Sequence, residues 1–148
     1  MITQNDLAQL SLAANLAGFD INENDMQILN WNAGMDTHIP ARLPRGFCAV
    51  YIFKWNDIYL KVGKANSKSS ARYQSHHYYP ESSNSNLSKS LLNDTEFQAL
   101  LGNMSTSDWL RTNINRYNIL IPRDFGSKFV NFAEAFFILK CNPMFEGS

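Results

Sequence analysis

The sequence predicts an α/β fold: a small antiparallel three-stranded sheet flanked by helices, with an N-terminal helical extension. Two strand-like runs, 47–54 (FCAVYIFK) and 58–64 (IYLKVGK), are separated only by Trp55, Asn56 and Asp57. Runs that close pair as an antiparallel hairpin. A third run, 117–121 (YNILI), has the apolar and aromatic content of a strand. Helical periodicity brackets these strands at both ends of the chain. At 148 residues the chain is long enough for one domain with a real core.

Residues 3–17 fit an amphipathic helix, with Leu7, Leu10, Ala14 and Ala17 at helical spacing and Gly18 as its stop. A second helix is expected over 23–33, with Met26, Leu29 and Trp31 as its apolar residues. Segment 34–46 holds two prolines and two glycines and reads as a linker. A boundary therefore falls near residue 45, with 1–45 an acidic helical extension and linker and 46–148 the α/β body. In the hairpin, Cys48, Val50 and Ile52 alternate on one face, as do Ile58, Leu60 and Val62. A three-residue loop at 55–57 brings these faces together and sets Tyr51 opposite Lys61. Residues 69–78 read as a helix with Arg72 and His76 one turn apart. The polar stretch 82–90 reads as loop or the frayed start of a helix, and helices are expected at 86–101 and 106–114. Ser127 is a candidate cap for the last helix, which runs to about Lys140. That helix is apolar on nearly every side, and Glu134 is its only acid. A carboxylate in such a setting needs a partner or a metal ion.

Charge is balanced overall, with 13 basic and 13 acidic residues, but it is unevenly spread. Residues 1–41 have no Lys or Arg and carry Asp6, Asp20, Glu23, Asp25 and Asp36. The remainder holds all 13 bases against 8 acids, a net charge of +5. Residues 58–80 contain Lys61, Lys64, Lys68, Arg72, His76 and His77 with no acid, a focus of the kind phosphate backbones attract. The acidic arm is expected to dock there and partly screen it, or else to form a dimer contact through Leu7, Leu10, Met26, Leu29 and Trp31. No stretch approaches a membrane span or a signal peptide. Cys48 and Cys141 are far apart in apolar surroundings and read as reduced core thiols of a cytoplasmic protein, not a zinc pair. His38 lies in the linker with no role read for it.

The runs AVYIF (49–53), LKVGKA (60–65), ARYQSHH (71–77) and FAEAFFIL (132–139), with Asn142 beyond, resemble in order and spacing the GIY-YIG nuclease superfamily. The resemblance covers residues 47 to about 145. Ala49-Val50-Tyr51 stands where Gly-Ile-Tyr is usual. Lys61-Val62-Gly63 stands where Tyr-Ile-Gly is usual, a replacement found in some restriction enzymes of the superfamily. The resemblance implies a metal-dependent endonuclease acting on DNA, in restriction or anti-phage defence.

In that reading Glu134 holds one Mg²⁺ or Mn²⁺, and Tyr51 is the general base on the attacking water. Because a free phenol ionises near pH 10, Lys61 would ease it toward phenolate. Arg72 braces the phosphate oxygens, His76 accepts or orients the tyrosine proton, and Asn142 steadies Glu134 or a metal-bound water. Lys64, Lys68 and His77 are candidate nucleic-acid contacts, with His77 the less involved of the two histidines in chemistry. A homodimer would suit cutting of both strands. A catalytically inactive nucleic-acid-binding or protein-interaction module, an antibacterial DNase toxin and a mobile-element endonuclease are the rival readings.

Overall fold

The computed structural model describes residues 1–146. Its centre is a four-stranded antiparallel sheet, not the three-stranded sheet expected, with order β1-β4-β2-β3. The strands are β1 (Gln27–Trp31), β2 (Phe47–Trp55), β3 (Ile58–Ala65) and β4 (Asn115–Pro122). The helices are α1 (Gln4–Leu16), α2 (Ser70–Gln74), α3 (Leu87–Leu92), α4 (Thr95–Leu101), α5 (Thr106–Asn113) and α6 (Ser127–Cys141).

The extra strand comes from the segment expected to be a second helix. After a 3₁₀ turn at Glu23–Asp25, residues 27–31 pair with β4, from Gln27 opposite Leu120 to Trp31 opposite Arg116. Ile28 then packs toward one face and Trp31 toward the other, the period-two placement of a strand. Spacing alone could not separate the alternatives for so short an apolar run. The open edge of β4 decided it.

The N-terminal segment is therefore not an appendage screening a separate body. Leu7, Leu10 and Ala14 of α1 lie in one core with Val50, Ile52, Ile119, Val130 and Phe137. Ala17 stays exposed at the helix end. Asp6 Oδ2 accepts from the Thr3 N–H at 2.7 Å, capping α1, and Asp6 Oδ1 meets Lys140 at 3.2 Å at the far end of α6. Segment 32–46 has no regular structure but is pinned, Arg111 donating to the carbonyls of His38 and Met35. The boundary expected near residue 45 is a connection between two strands of one sheet.

The hairpin also departs from its expected register. Its loop has two residues, Asn56 and Asp57, with Asn56 at φ 52°, the left-handed region such loops favour. The register then slips between Phe53 and Lys54, leaving Leu60 as an extra residue. Tyr51 consequently faces Gly63, and Lys61 faces Phe53. A one-residue bulge changes the parity of pairing just as a longer loop would, so Cys48, Val50, Ile52 and Val62 still share a face. Leu60 turns to the opposite face, and Ile58 is exposed.

The helices between β3 and β4 are shorter than the sequence suggested. The helix expected over 69–78 breaks at Ser75 into α2 and a 3₁₀ turn, His76–Tyr78. The stretch 86–101 divides into α3 and α4, because Asp94 accepts from Glu96 and Phe97 N–H groups and starts a new helix. Gly126, not Ser127, precedes the first residue of α6. Phe132 and Leu139 on α6 are exposed, so that helix has an outer face. Both cysteines are free and buried, and no helix of the described residues is long and apolar enough to cross a membrane.

Candidate functional site

The face of the sheet opposite α1 is lined by aromatic rings, and at its β3 end it opens into a cavity of about 220 Å³. Tyr51, Lys61, Lys64, Arg72, His76, His77 and Glu134 all line it. These seven candidates, spread over 84 residues of sequence (51 to 134), are brought together by β2, β3, the broken helix after β3, and α6. Ser85 and Glu146 also line the cavity, and sequence reasoning missed both. The tail after α6 delivers Glu146. Its Met144 and Phe145 N–H groups donate to the carbonyls of Tyr59 and Leu60 at 2.9 Å each, along the outer edge of β3.

Gly63 is what allows the tyrosine to lie where it does. A Cβ there would sit 2.5 Å from Tyr51 Cε2 and 2.7 Å from its hydroxyl oxygen. Only a residue without a side chain lets the ring cross β3 so closely.

The hydroxyl of Tyr51 is bonded to His77, at 2.9 Å from Nε2. His77 Nδ1 accepts the Leu87 N–H at 3.0 Å, one of the otherwise unpaired donors in the first turn of α3. An accepting Nδ1 requires that neutral His77 carry its proton on Nε2. His77 therefore donates to the tyrosine oxygen, and the phenol's own proton is free to point elsewhere. Burial holds His77 well below the ordinary imidazole range, aided by Arg116, Lys61 and Arg72, so the neutral form dominates at pH 7. These contacts reverse the expected roles of the histidines. His77 is buried, only 6% exposed, and orients Tyr51, whereas His76 lines the cavity without bonding the phenol. A histidine with its proton already on Nε2 cannot also accept one from the tyrosine.

Lys61 does not sit against Tyr51 as expected. It lies two residues away along β3, and its Nζ donates to the Phe145 carbonyl at 3.2 Å. Burial pushes the Tyr51 phenol up to about 12, opposed by the charge of Arg116 and then of Arg72. Glu134 is half-buried and paired with Lys64 at 3.0 Å, so it is not the lone buried carboxylate that its helix suggested. Asn142 ends α6 in the left-handed conformation, φ 46°. It lies eight residues beyond Glu134, roughly 12 Å along the helix, and does not line the cavity. Its role is to stop the helix, not to steady Glu134. Lys68 is exposed on the loop before α2 and does not line the cavity either.

Arg116 was not anticipated. It lies on β4, fully buried, with its guanidinium over the rings of Trp31 (4.1 Å), Tyr51 (4.7 Å), Tyr73 (4.8 Å) and Phe53 (4.9 Å). It donates to Asn118 Oδ1 at 2.7 Å, the Tyr73 carbonyl at 2.6 Å and the Tyr78 hydroxyl at 3.3 Å. Burying a cation without a carboxylate costs several kcal/mol, offset here by the ring faces, worth about 2 kcal/mol or more when desolvated. Arg116 and Asn118 alternate on one face of an otherwise apolar strand, which is the signal that could have revealed them. An arginine just before an apolar run reads more simply as a solvated strand end.

His38, read as incidental, extends this network. It is fully buried, with Nδ1 2.8 Å from the Ile114 carbonyl and Nε2 2.6 Å from the Tyr78 hydroxyl. The carbonyl requires a proton on Nδ1, so Tyr78 donates to Nε2. Burial lowers His38 to about 4.

A second cavity of about 200 Å³ adjoins the first, sharing Lys64 and Arg72 and adding Arg123, Ser127 and Asn131, with no acidic residue in its lining. The two together form a basic groove, with Tyr51 and the carboxylates of Glu134 and Glu146 in its first half. No protein-family model, curated protein or solved structure matches the chain.

Proposed function

We propose that this chain is a metal-dependent endonuclease of the GIY-YIG kind, hydrolysing phosphodiester bonds of DNA. The observation that carries the reading is the convergence of Tyr51, Lys61, Lys64, Arg72 and Glu134 on one cavity, with Gly63 leaving space for the tyrosine ring. Phosphodiester hydrolysis needs a group to take the proton of the attacking water and cations to meet charge growing on the phosphate. The groove supplies both, and its acid-free second half suits a neighbouring phosphate of the same strand.

In this mechanism the phosphate rests between Lys61, Lys64 and Arg72. Water attacks phosphorus from the Tyr51 side, and Tyr51 as phenolate accepts its proton. The bond to the leaving ester oxygen breaks, that oxygen takes a proton from cavity water, and Tyr51 returns its proton to solvent before the next cycle. His77 steadies the phenolate by donating from Nε2. Its donor role replaces the proton-accepting role first expected of a histidine.

Glu134 and Glu146 offer carboxylate oxygens and the cavity contains no thiol, a donor set that fits Mg²⁺ or Mn²⁺ held through carboxylate, water and phosphate oxygens. The bound ion would polarise the phosphoryl oxygen and ease departure of the leaving oxygen. Lys61 in the second motif is the feature that favours a restriction-like or defence role. Cutting both strands with one such cavity per chain would take two chains.

One observation favours a second reading, a nucleic-acid-binding module without catalysis: Glu134 is already neutralised by Lys64. Supercoiled plasmid incubated with Mg²⁺, and with a chelator as control, separates the two. Metal-dependent nicking that Glu134→Gln abolishes while DNA retention persists is the expected result. Retention without nicking under any divalent metal would leave only the binding module.

A further inference from the structure

Arg116 lacks a counter-ion. It is bonded only to neutral acceptors, and among the described residues no carboxylate forms an ion pair with it. Its guanidinium carbon lies 4.7 Å from the Tyr51 ring centre, and Tyr51 is bonded in turn to His77. We infer that Arg116 is a positioning residue of the cavity: its permanent, unbalanced charge favours the phenolate of Tyr51 and keeps His77 in the neutral form that donates to it. This inference rests on Tyr51 being the proton-accepting group of the proposed reaction.

A fixed cation acts on both neighbours in the direction the site needs, easing a proton off a phenol and resisting its addition to an imidazole. Arg116 is the largest charge opposing burial at Tyr51, and the largest charge adding to it at His77. Arg72 on α2 acts on Tyr51 in the same direction, while Glu134 on α6 and the Tyr78 phenol oppose it. Lys61, Arg72 and His76 also face His77. The difference between these cations is access. Arg72 is exposed and Lys61 is partly so, so a bound phosphate neutralises them at the moment Tyr51 must be ionised. Arg116 is sealed beneath the rings, where neither phosphate nor salt reaches it. It is the cation whose influence on Tyr51 survives substrate binding.

The test places a fluorinated tyrosine, whose phenol ionises in a pH range the fold tolerates, at position 51. Its titration is followed by fluorine NMR in the otherwise native protein and in Arg116→Met, Arg116→Gln and Arg116→Lys. Loss of the charge should raise the ionisation of residue 51 by about one pH unit, a tenfold change in proton affinity, in both neutral variants and by much less in Arg116→Lys. The sign discriminates between causes. Merely loosening the packing would admit water and lower the value, because burial is what raises it. The difference between the native protein and the neutral variants should persist at high salt, since the exposed Arg72 is screened there and the sealed Arg116 is not. An unchanged or lowered value in the neutral variants overturns the inference, as does failure of both neutral variants to fold, which would assign Arg116 to the fold alone. The plasmid assay fails or succeeds separately. A shifted titration in a protein that never cuts DNA upholds the coupling and removes the nuclease reading, whereas cutting with an unshifted titration does the reverse.

Discussion

On the α1–α6 side of the sheet the packed side chains are mostly aliphatic: Leu7, Leu10, Val50, Ile52, Ile119 and Val130. On the α2–α5 side a much larger share is aromatic, with Trp31, Tyr51, Phe53, Tyr73 and Tyr78 packed among leucines, and buried with them are Arg116, Asn118, His38 and His77. Both faces exclude water, but by different physics. The first gains from apolar burial, which is non-directional. The second buries polar atoms that call for partners in defined geometry; the chain of bonds from Ile114 through His38, Tyr78 and Arg116 supplies them for those groups, while the Tyr73 hydroxyl is buried without a hydrogen bond. The aliphatic side can be repacked in many ways. The polar side permits few arrangements, and it gives Tyr51 and His77 to the cavity, which Val62 and Glu134 of the α1–α6 side complete.

The largest expected effect tests whether the first face is one shared core. A chain beginning at Pro44 lacks α1 and β1, exposing Val50, Ile52 and the free edge of β4. It should fail to fold, giving collapsed dispersion in an amide NMR spectrum. A folded truncated protein would show that the aliphatic face stands without α1.

Next come paired substitutions, one on each face. Leu10→Ala should lower unfolding free energy by about 3 kcal/mol through cavity formation, while cleavage per folded molecule stays unchanged. Tyr51→Phe should cost only about 1–2 kcal/mol, the penalty for leaving the His77 Nε2–H unpaired, while cleavage falls by at least about a hundredfold. Denaturant titrations beside plasmid nicking measure both. If the two variants behave alike, the faces do not divide as described.

Acid should then act on the polar face first. His38 is held near 4 in the fold against an ordinary value near 6.5, so the native state prefers it neutral. That stability is fully present above about pH 6.5, declines as pH falls, and is spent by about pH 4. The loss is on the order of 3 kcal/mol, and His77, lowered in the same direction, adds to it. Urea midpoints from pH 7.5 to 4 should fall along this course in the native protein and less steeply in His38→Gln.

The smallest effect belongs to the Lys64–Glu134 pair. With side chains 36% and 22% exposed, the pair is partly screened by solvent. Lys64→Met should change stability by under about 1 kcal/mol, read from thermal midpoints at two salt concentrations. A larger change would move Glu134 from the cavity's chemistry to the framework of the fold.

Local pattern determined much of this protein. Strands β2, β3 and β4 and helices α1, α5 and α6 follow from periodicity, because amphipathic burial leaves its period in the residues themselves. Tyr51, Arg72 and Glu134 were legible as candidates because each carries chemistry out of keeping with its apolar neighbours or lies in a basic run. Three things were decided only in three dimensions. Residues 27–31 became a strand because β4 offered them an open edge. Tyr51 met Gly63 because a bulge at Leu60, invisible in the alternation, reset the register. His77, His38 and Arg116 became the inner wiring of the site because Tyr51, Tyr78, Tyr73 and Ile114, from 26 to 76 residues away, came to face them and supplied hydrogen bonds. A hydrophobic period is written within a dozen residues, but the satisfaction of a buried polar atom depends on which distant segment arrives to face it.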